Sequence, residues 1–376
     1  MSRRLTAAAA VLACAGLMAG CGSQPARVTG TGPPPLTTPL STSLVTAQGT
    51  WAVAVMGGPD ADDMFWQLFF RPVTSDRWSL VTPPGVADNG GLVAAGEGAS
   101  LVVGFRPSQN LVFSPLATST DAGLNWTPGL LDAGLADTPG AIAVGPSGRT
   151  LALLQDGTIE QAATAGSAAA GRWARLTSLK ALAASAPGRS CGLEGVTAVS
   201  FGPDKNPIAA GSCARPGAAG VFTDAGGTWR SAGLTLPGPV ENGRVRVLAL
   251  TATAGGNAAL LAAGNSLLAA WWDGTRWTVS APVTADGVRA LGFGPGGSAW
   301  LLLDGGRAET IAGAAGSAWR ALPPVPAGTG TLAPGTGGSY DALAVAGSRL
   351  TVWRLAQGAW AKVQQVSVPL QYGSSG

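Results

Sequence analysis

Seven tryptophans stand in similar local sequence along this chain, at Arg77-Trp78, Asn125-Trp126, Arg172-Trp173, Thr228-Trp229, Arg276-Trp277, Ala318-Trp319 and Ala359-Trp360. Their intervals are 48, 47, 56, 48, 42 and 41 residues, a mean of 47 from (360 − 78)/6. Most are followed within a few residues by Leu or Val and then by Pro or Gly. A repeat of that length is one supersecondary unit that buries its apolar faces only against its neighbours. The period falls in the range of four-stranded propeller blades.

The residues between the tryptophans fit strands. The third unit reads as Ala141-Val144, a turn at Pro146-Ser147-Gly148, Thr150-Leu154, a turn at Asp156-Gly157, Thr158-Ala162 and a closing strand Arg172-Leu176. The last unit repeats the pattern in Ala342-Val345, Arg349-Trp353 and Trp360-Val363. The 57 Gly and 27 Pro are too many for a helical protein, and charged residues are 11% of the chain against about 25% in typical domains. The expectation is an all-β fold, a single propeller of seven four-stranded blades, with six or eight left open by uneven boundaries. Two closures are open as well: Thr42-Val45 supplies the first blade's inner strand, or Val366-Gln371 from the other terminus does. Either removes an exposed sheet edge.

Ser119-Thr120-Asp121-Ala122-Gly123-Leu124-Asn125-Trp126 resembles the Asp-box, or BNR, repeat Ser/Thr-x-Asp-x-Gly-x-x-Trp. Phe222-Thr223-Asp224-Ala225-Gly226-Gly227-Thr228-Trp229 departs from it only at Phe222, and Trp272-Asp273-Gly274-Thr275-Arg276-Trp277 is a shortened form. The resemblance is to a broad group that includes sialidases, sortilin-like receptors and photosystem-assembly factors. It implies that Ser119, Asp121, Gly123, Trp126, Asp224, Gly226 and Trp229 are structural residues of outer turns, away from any axial site. The chemistry is local: the Asp carboxylate accepts backbone N–H groups across a turn, Gly permits a positive φ, and Trp fills space between blades.

The N-terminus points to export. Arg3 and Arg4 precede an apolar run from Leu5 to Met18, too short to span a hydrocarbon core but suited to a signal peptide. It ends in Met18-Ala19-Gly20-Cys21, which resembles the lipobox of bacterial lipoproteins, with Met where Leu is usual. The expected organisation is a signal peptide over 1–20, a lipidated Cys21 with a Gly/Pro/Ser/Thr tether over 21–43, a propeller over 44–371 and a tail over 372–376. That places the protein at the cell membrane, lipid-anchored on the extracytoplasmic face. Of the 4 Cys, Cys14 leaves with the signal and Cys21 carries the lipid. Cys191 and Cys213 remain, most simply as one disulfide in an oxidising compartment. Closing a loop of 213 − 191 = 22 residues contributes on the order of 3 kcal/mol.

Function is less directly written. The net charge of +3 without a run of Lys or Arg gives no support for nucleic acid. With no His, a Ser-His-Asp or Cys-His mechanism is excluded. A sialidase needs an arginine cluster, a Tyr-Glu nucleophile pair and an Asp acid/base. Tyr340-Asp341 is the nearest candidate pair, Phe70-Arg71-Pro72 a weak echo of the Arg-Ile-Pro signature, and the five Glu fall in no recognisable motif. No catalytic residue, metal or cofactor is therefore expected. The expected role is a monomeric binding or scaffold propeller for an envelope protein or cell-wall glycan. The alternative is a glycoside hydrolase or sugar binder, with Trp271-Trp272 as a stacking platform. Asp60, Asp62 and Asp63, beside Met64, Phe65 and Trp66, form a candidate contact loop; a solvated hairpin explains them equally simply.

Overall fold

The computed structural model describes residues 43–58, 64–83, 92–105, 116–128, 140–236, 243–284, 287–335 and 338–369. Cys21 and the loop carboxylates Asp60, Asp62 and Asp63 lie outside those residues. The chain forms seven antiparallel sheets, each a meander of consecutive strands, arranged as a seven-bladed β-propeller. Blade 1 is β1 (Ser43–Thr46), β2 (Gly49–Gly57), β3 (Met64–Pro72) and β4 (Ser79–Leu80). Blade 2 is β5 (Leu92–Glu97), β6 (Ser100–Phe105), β7 (Leu116–Ser119) and β8 (Thr127–Pro128). Blade 3 is β9 (Ala141–Val144), β10 (Thr150–Leu153), β11 (Ile159–Ala162) and β12 (Ala174–Thr177), with a short helix α1 (Ala165–Ala169) before its last strand.

Two more helices, α2 (Leu179–Ala184) and α3 (Ala186–Cys191), lead into blade 4: β13 (Leu193–Phe201), β14 (Pro207–Cys213), β15 (Ala218–Asp224) and β16 (Trp229–Ser231), with β17 (Leu234–Thr235) added beside β15. Blade 5 is β18 (Val245–Thr253), β19 (Gly256–Ala263), β20 (Ser266–Trp272) and β21 (Trp277–Val279), with β22 (Val283–Thr284) beside β20. Blade 6 is β23 (Val288–Phe293), β24 (Ala299–Leu303), β25 (Ala308–Ile311) and β26 (Arg320–Ala321). Blade 7 is β27 (Thr329–Pro334), β28 (Tyr340–Ala346), β29 (Arg349–Ala356) and β30 (Ala359–Ser367).

The third unit lies as its sequence suggests. The three strands picked out in the last unit are the second to fourth of blade 7, whose inner strand is Thr329–Pro334. Blade 1 takes its inner strand from Ser43–Thr46, paired antiparallel to β2, and Val366 belongs to the outer strand of blade 7. Every blade is thus contiguous in sequence, and among the described residues no strand is exchanged across the join.

The core explains the composition. Second strands are sandwiched between neighbouring blades, so they lack the alternation of a half-exposed sheet and read as continuous apolar runs. Ala299–Leu303 and Thr150–Leu153 are buried at every position. The buried side chains fall into seven clusters, one at each interface between adjacent blades. Each cluster contains the repeat tryptophan of the later blade: Trp126 between blades 1 and 2, Trp173 between 2 and 3, Trp229 between 3 and 4, and so on round to Trp78 between 7 and 1.

Several indoles also latch onto the preceding blade. Trp277 donates its N–H to the carbonyl of Ala232, Trp319 to the Ser280 hydroxyl at 3.2 Å, and Trp360 to the Pro323 carbonyl at 3.2 Å. The acceptors follow the preceding repeat tryptophan by three or four residues, so one indole reaches over the end of the last outer strand to the next. Cys191 and Cys213 form a disulfide with 5.4 Å between Cα atoms. It ties the end of α3 to the end of β14 in blade 4, whose interval is the longest of the six.

Replacing Trp319 by Phe keeps a ring in the interface but removes the donor and leaves a small void. A loss of about 2 kcal/mol is expected in urea unfolding, from one hydrogen bond plus the missing ring volume.

Candidate functional site

The inner strands converge on an axial cavity of about 400 Å³. Blades 1 to 6 line it, through segments such as Ser43–Val45, Ile142–Pro146 and Ala249–Ala252. Small and apolar groups dominate because backbones crowd near the axis. Glu97 and Lys205 are the charged lining residues, and both are exposed. They sit at the turns from first to second strand. Three of these turns share Gly-Pro, at Gly145-Pro146, Gly202-Pro203 and Gly294-Pro295, a second repeat beyond the tryptophans that reading by Trp alone misses. In the first, Ser147 and Gly148 take φ of 61° and 74°. Among the described residues, no group of three or more His, Cys, Asp or Glu side chains gathers as a metal site would.

The candidate pair Tyr340-Asp341 lies elsewhere. Asp341 is fully buried at the junction of blades 7 and 1. Its carboxylate accepts from Arg71 Nη1, from Arg354 Nε at 2.8 Å and Nη2 at 3.2 Å, and from the Trp78 indole N–H at 2.8 Å. Arg71 also donates to the Pro334 carbonyl at 3.0 Å and stacks over the Trp78 ring. The hydrogen bond that Arg354 donates to Asp341 holds it more firmly protonated than an ordinary arginine. Burial pushes the Tyr340 phenol up from its usual value. Arg71, the arginine of the Phe70-Arg71-Pro72 echo, is therefore committed to a structural ion pair. Gln364 completes the join: its side chain accepts from the Trp78 backbone N–H and donates to the Trp78 carbonyl, both at 2.8 Å.

The turn residues occupy the hairpins between third and fourth strands. Asp121 accepts from the Asn125 backbone N–H at 2.9 Å and its side-chain amide at 2.6 Å, while Ser119 donates to Asp121 at 2.8 Å and accepts from the Gly123 N–H at 2.8 Å. These bonds, the Asn125 backbone N–H first, hold the Asp121 carboxyl below its usual value. Asp224 accepts from the Gly227 N–H at 2.7 Å, and Gly226 and Gly227 take φ of 69° and 88°. Asp273 accepts from the Thr275 hydroxyl and from the backbone N–H groups of Arg276 and Thr275, which lower its pKa to about 2. Trp271 of the candidate stacking pair is buried and gives its indole N–H to the Gly297 carbonyl at 3.0 Å, a packing role.

A second concavity of about 640 Å³ opens on the outside, between blade 3 and blade 4. Arg175–Ser178, the helices α2 and α3, and the Gly227–Trp229 turn wall it. Trp229 is half-buried, and its indole N–H has no partner among the described residues.

The arrangement defines a propeller that carries, among its described residues, an axial and a lateral concavity. No family model and no curated protein matches the chain. Solved structures do. A protein from Lactobacillus plantarum superposes with a TM-score of 0.53 at 12% identity, covering 84% of this chain and 96% of that one. A 6-phosphogluconolactonase candidate from Bacteroides uniformis gives 0.52 at 13%, covering 84% and 96%. YCF48 bound to a D1 peptide gives 0.48 at 14%, covering 81% and 88%. At such identities the likeness is one of fold.

Two measurements check this anatomy. Asp341→Asn leaves two guanidinium groups facing a neutral amide and is expected to cost about 3–5 kcal/mol in denaturant unfolding, whereas Asp76→Asn, at an 86% exposed partner of Arg354, costs under about 1 kcal/mol. An NMR titration of the Asp273 carboxyl is expected to centre near 2 rather than 3.8. Because the folded value is the lower one, the stabilisation is complete above the unfolded value and disappears as pH falls through the folded one.

Proposed function

We propose that this protein is a lipid-anchored, non-catalytic binding propeller that presents its rigid ring to an envelope partner, a protein or a wall glycan. The observation that carries the reading is the fate of the carboxylates. Asp341 is saturated by two arginines and an indole, Asp121 and Asp273 are occupied by several donors of their own turns and Asp224 by one, and Glu97 is the acidic residue lining the axial cavity. Glycoside hydrolysis by paired carboxylates needs two facing one substrate, and the described residues of that cavity offer one. A ring of seven apolar interfaces is rigid, which favours recognition by preformed surfaces.

The turns at Ser119–Trp126 and Phe222–Trp229 fit Asp-boxes of the BNR type acting as hairpin locks, in keeping with the outer position expected of them. The lipobox-like Met18-Ala19-Gly20-Cys21 supports tethering outside the cytoplasm. One acyl chain gives marginal attachment and several give a stable anchor, so a diacylated, N-acylated cysteine would hold the domain at the membrane without a spanning helix.

The test is crosslinking in cells of the full, lipidated protein. One dominant envelope partner, protein or wall polymer, is the expected result. A random spread of neighbours, together with turnover of a fluorogenic glycoside that falls on Glu97→Gln, would establish the hydrolase instead. In the same cells, Cys21→Ser is expected to abolish incorporation of an alkynyl fatty acid and move the protein out of the membrane fraction; retention there without label would refute the anchor.

A further inference from the structure

We infer that the lateral groove between blades 3 and 4 is a binding site for an acidic carbohydrate, an inference that rests on reading the protein as a binding propeller and gives that reading a site and a ligand class. The first observation is a break in the repeat. Trp277, Trp319 and Trp360 spend their indole N–H groups on the blade before them. Continued back one blade, the rule would send the Trp229 N–H to Leu176 or Thr177, three or four residues beyond Trp173. No such bond exists, and Leu176 and Thr177 instead line an open groove beside Trp229. Of the other repeat tryptophans, Trp78 gives its N–H to Asp341, Trp173 to the Ala168 carbonyl of its own blade, and Trp126 lacks a partner but its nitrogen is buried. Trp229 alone keeps an unpartnered indole N–H that is not buried.

The second observation is the opposite wall. The long interval before Trp229 is occupied by α2 and α3, pinned at Cys191 by the disulfide to Cys213. The helices wall the groove, and Leu182 roots them in the blade 3–4 core. Without that anchorage the segment could settle onto the indole.

Charge is the third. From Arg172 to Leu193 the chain carries Arg172, Arg175, Lys180 and Arg189 and no carboxylate, a local +4 in a chain whose total is +3. Arg175 lines the groove itself, with a side chain 69% exposed, a loose contact of 3.8 Å to Glu160 and a longer-range attraction to Asp156. The cations are spread over many residues of sequence, so no basic run announces them.

A half-exposed indole offers an apolar face for the C–H groups of a pyranose ring and an N–H for a ring hydroxyl. Ser178 and Thr228 add hydroxyls to the lining. Arg175 supplies a planar fork matched to a carboxylate or phosphate. The groove opens to solvent and sets the hydroxyls of Thr177, Ser178, Ser185 and Thr228 beside the indole, unlike the enclosed pockets that anchor peptide side chains. A sugar bearing an acidic group satisfies all these surfaces at once.

The experiment is calorimetric titration of the full protein in detergent with a galacturonate oligosaccharide, a neutral maltooligosaccharide of equal length, and poly-glutamate. Binding of the galacturonate in preference to both others is expected. Arg175→Gln should weaken it about tenfold, the equivalent of one charge-assisted hydrogen bond. Trp229→Phe should weaken it severalfold, and Lys362→Gln, on the far blade 7, should change nothing. Arg175 is exposed enough that its variant keeps the wild-type melting profile, so a loss there reports the groove and not the fold. Equal binding by Arg175→Gln, tighter binding of poly-glutamate, or binding of none of the three would overturn the assignment. In the last case, capture of an envelope partner by crosslinking would leave the binding role standing with its site elsewhere, and absence of capture would remove both.

Discussion

Closure of the ring rests on Asp341. A propeller made of seven contiguous blades has one interface that cannot form until the whole chain is in place, and here no exchanged strand secures it. Blade 7 meets blade 1 through an apolar cluster that includes Met56, Phe69, Trp78, Leu343 and Val352, as at the other six interfaces. What is added is a buried carboxylate shared by Arg71 of blade 1 and Arg354 of blade 7, with the Trp78 indole as a third donor. Burying these charges costs several kcal/mol per ion, and apolar side chains of the same volume would serve stability equally well. The network differs from an apolar patch in discrimination. Blade 1 brought against any other blade would bury Arg71 without its carboxylate, so the pairing selects blade 7 among seven similar surfaces. Loop-closure entropy between residues 270 positions apart grows only logarithmically with length; the difficulty of closure lies less in reach than in choosing the right face.

The same indole serves two purposes around the ring. Within the chain it packs into the interface with the preceding blade and, at three successive blades, hydrogen-bonds to the end of the preceding outer strand. At the join, Trp78 keeps the packing position, but its N–H goes to a charge, and Gln364, four residues beyond Trp360, takes up the backbone of Trp78. One repeat position therefore ties neighbours together by local chemistry and the two ends together by electrostatics. The Asp-bearing turns stand one step upstream. They set the hairpins that deliver Trp126, Trp229 and Trp277 to their strands, and the Asp121 and Asp273 carboxylates, each holding several local donors, have little capacity left for a ligand.

How much of this could be read from sequence follows from the range of the interactions. The tryptophan period reported blades because each indole meets an equivalent neighbour, so selection acts on the same position seven times. The turns at Asp121 and Asp224 were legible because their donors lie within four residues. Cys191 and Cys213 were legible by elimination, as the pair left over once Cys14 and Cys21 are read as part of an export signal. Ring closure was not, because Ser43–Thr46 and Val366 are both plausible strands and only three-dimensional packing separates them. Tyr340-Asp341 read as an isolated candidate pair because Arg71, 270 positions away, leaves no local mark on its sequence, and the two begin a strand of blade 7. The recurring Gly-Pro at Gly145, Gly202 and Gly294 was a signal available and unused, masked by the abundance of both residues. The lateral groove had one visible trace, the interval of 56 residues before Trp229, which spacing alone translates into an enlarged blade rather than an opening between two.

Regularity in such a ring also shows where function has room to act. Positions that repeat are under the common demand of sealing an interface, and substituting them damages the fold. A position that keeps the repeat residue but abandons its repeat contact is released from part of that demand. Trp229 packs, half-buried, against the blade 3–4 cluster, so the interface still holds, while its indole N–H is left without a partner among the described residues. The departure has a structural cause in α2 and α3, whose caps at Ser178 and Ser185 make the segment fold locally rather than collapse across the gap. Local helix formation, a covalent tie to β14 and a rooted Leu182 together convert extra chain length into a wall. An insertion lacking any of the three would be a loop of no defined shape, and the indole beside it would be merely exposed instead of presented.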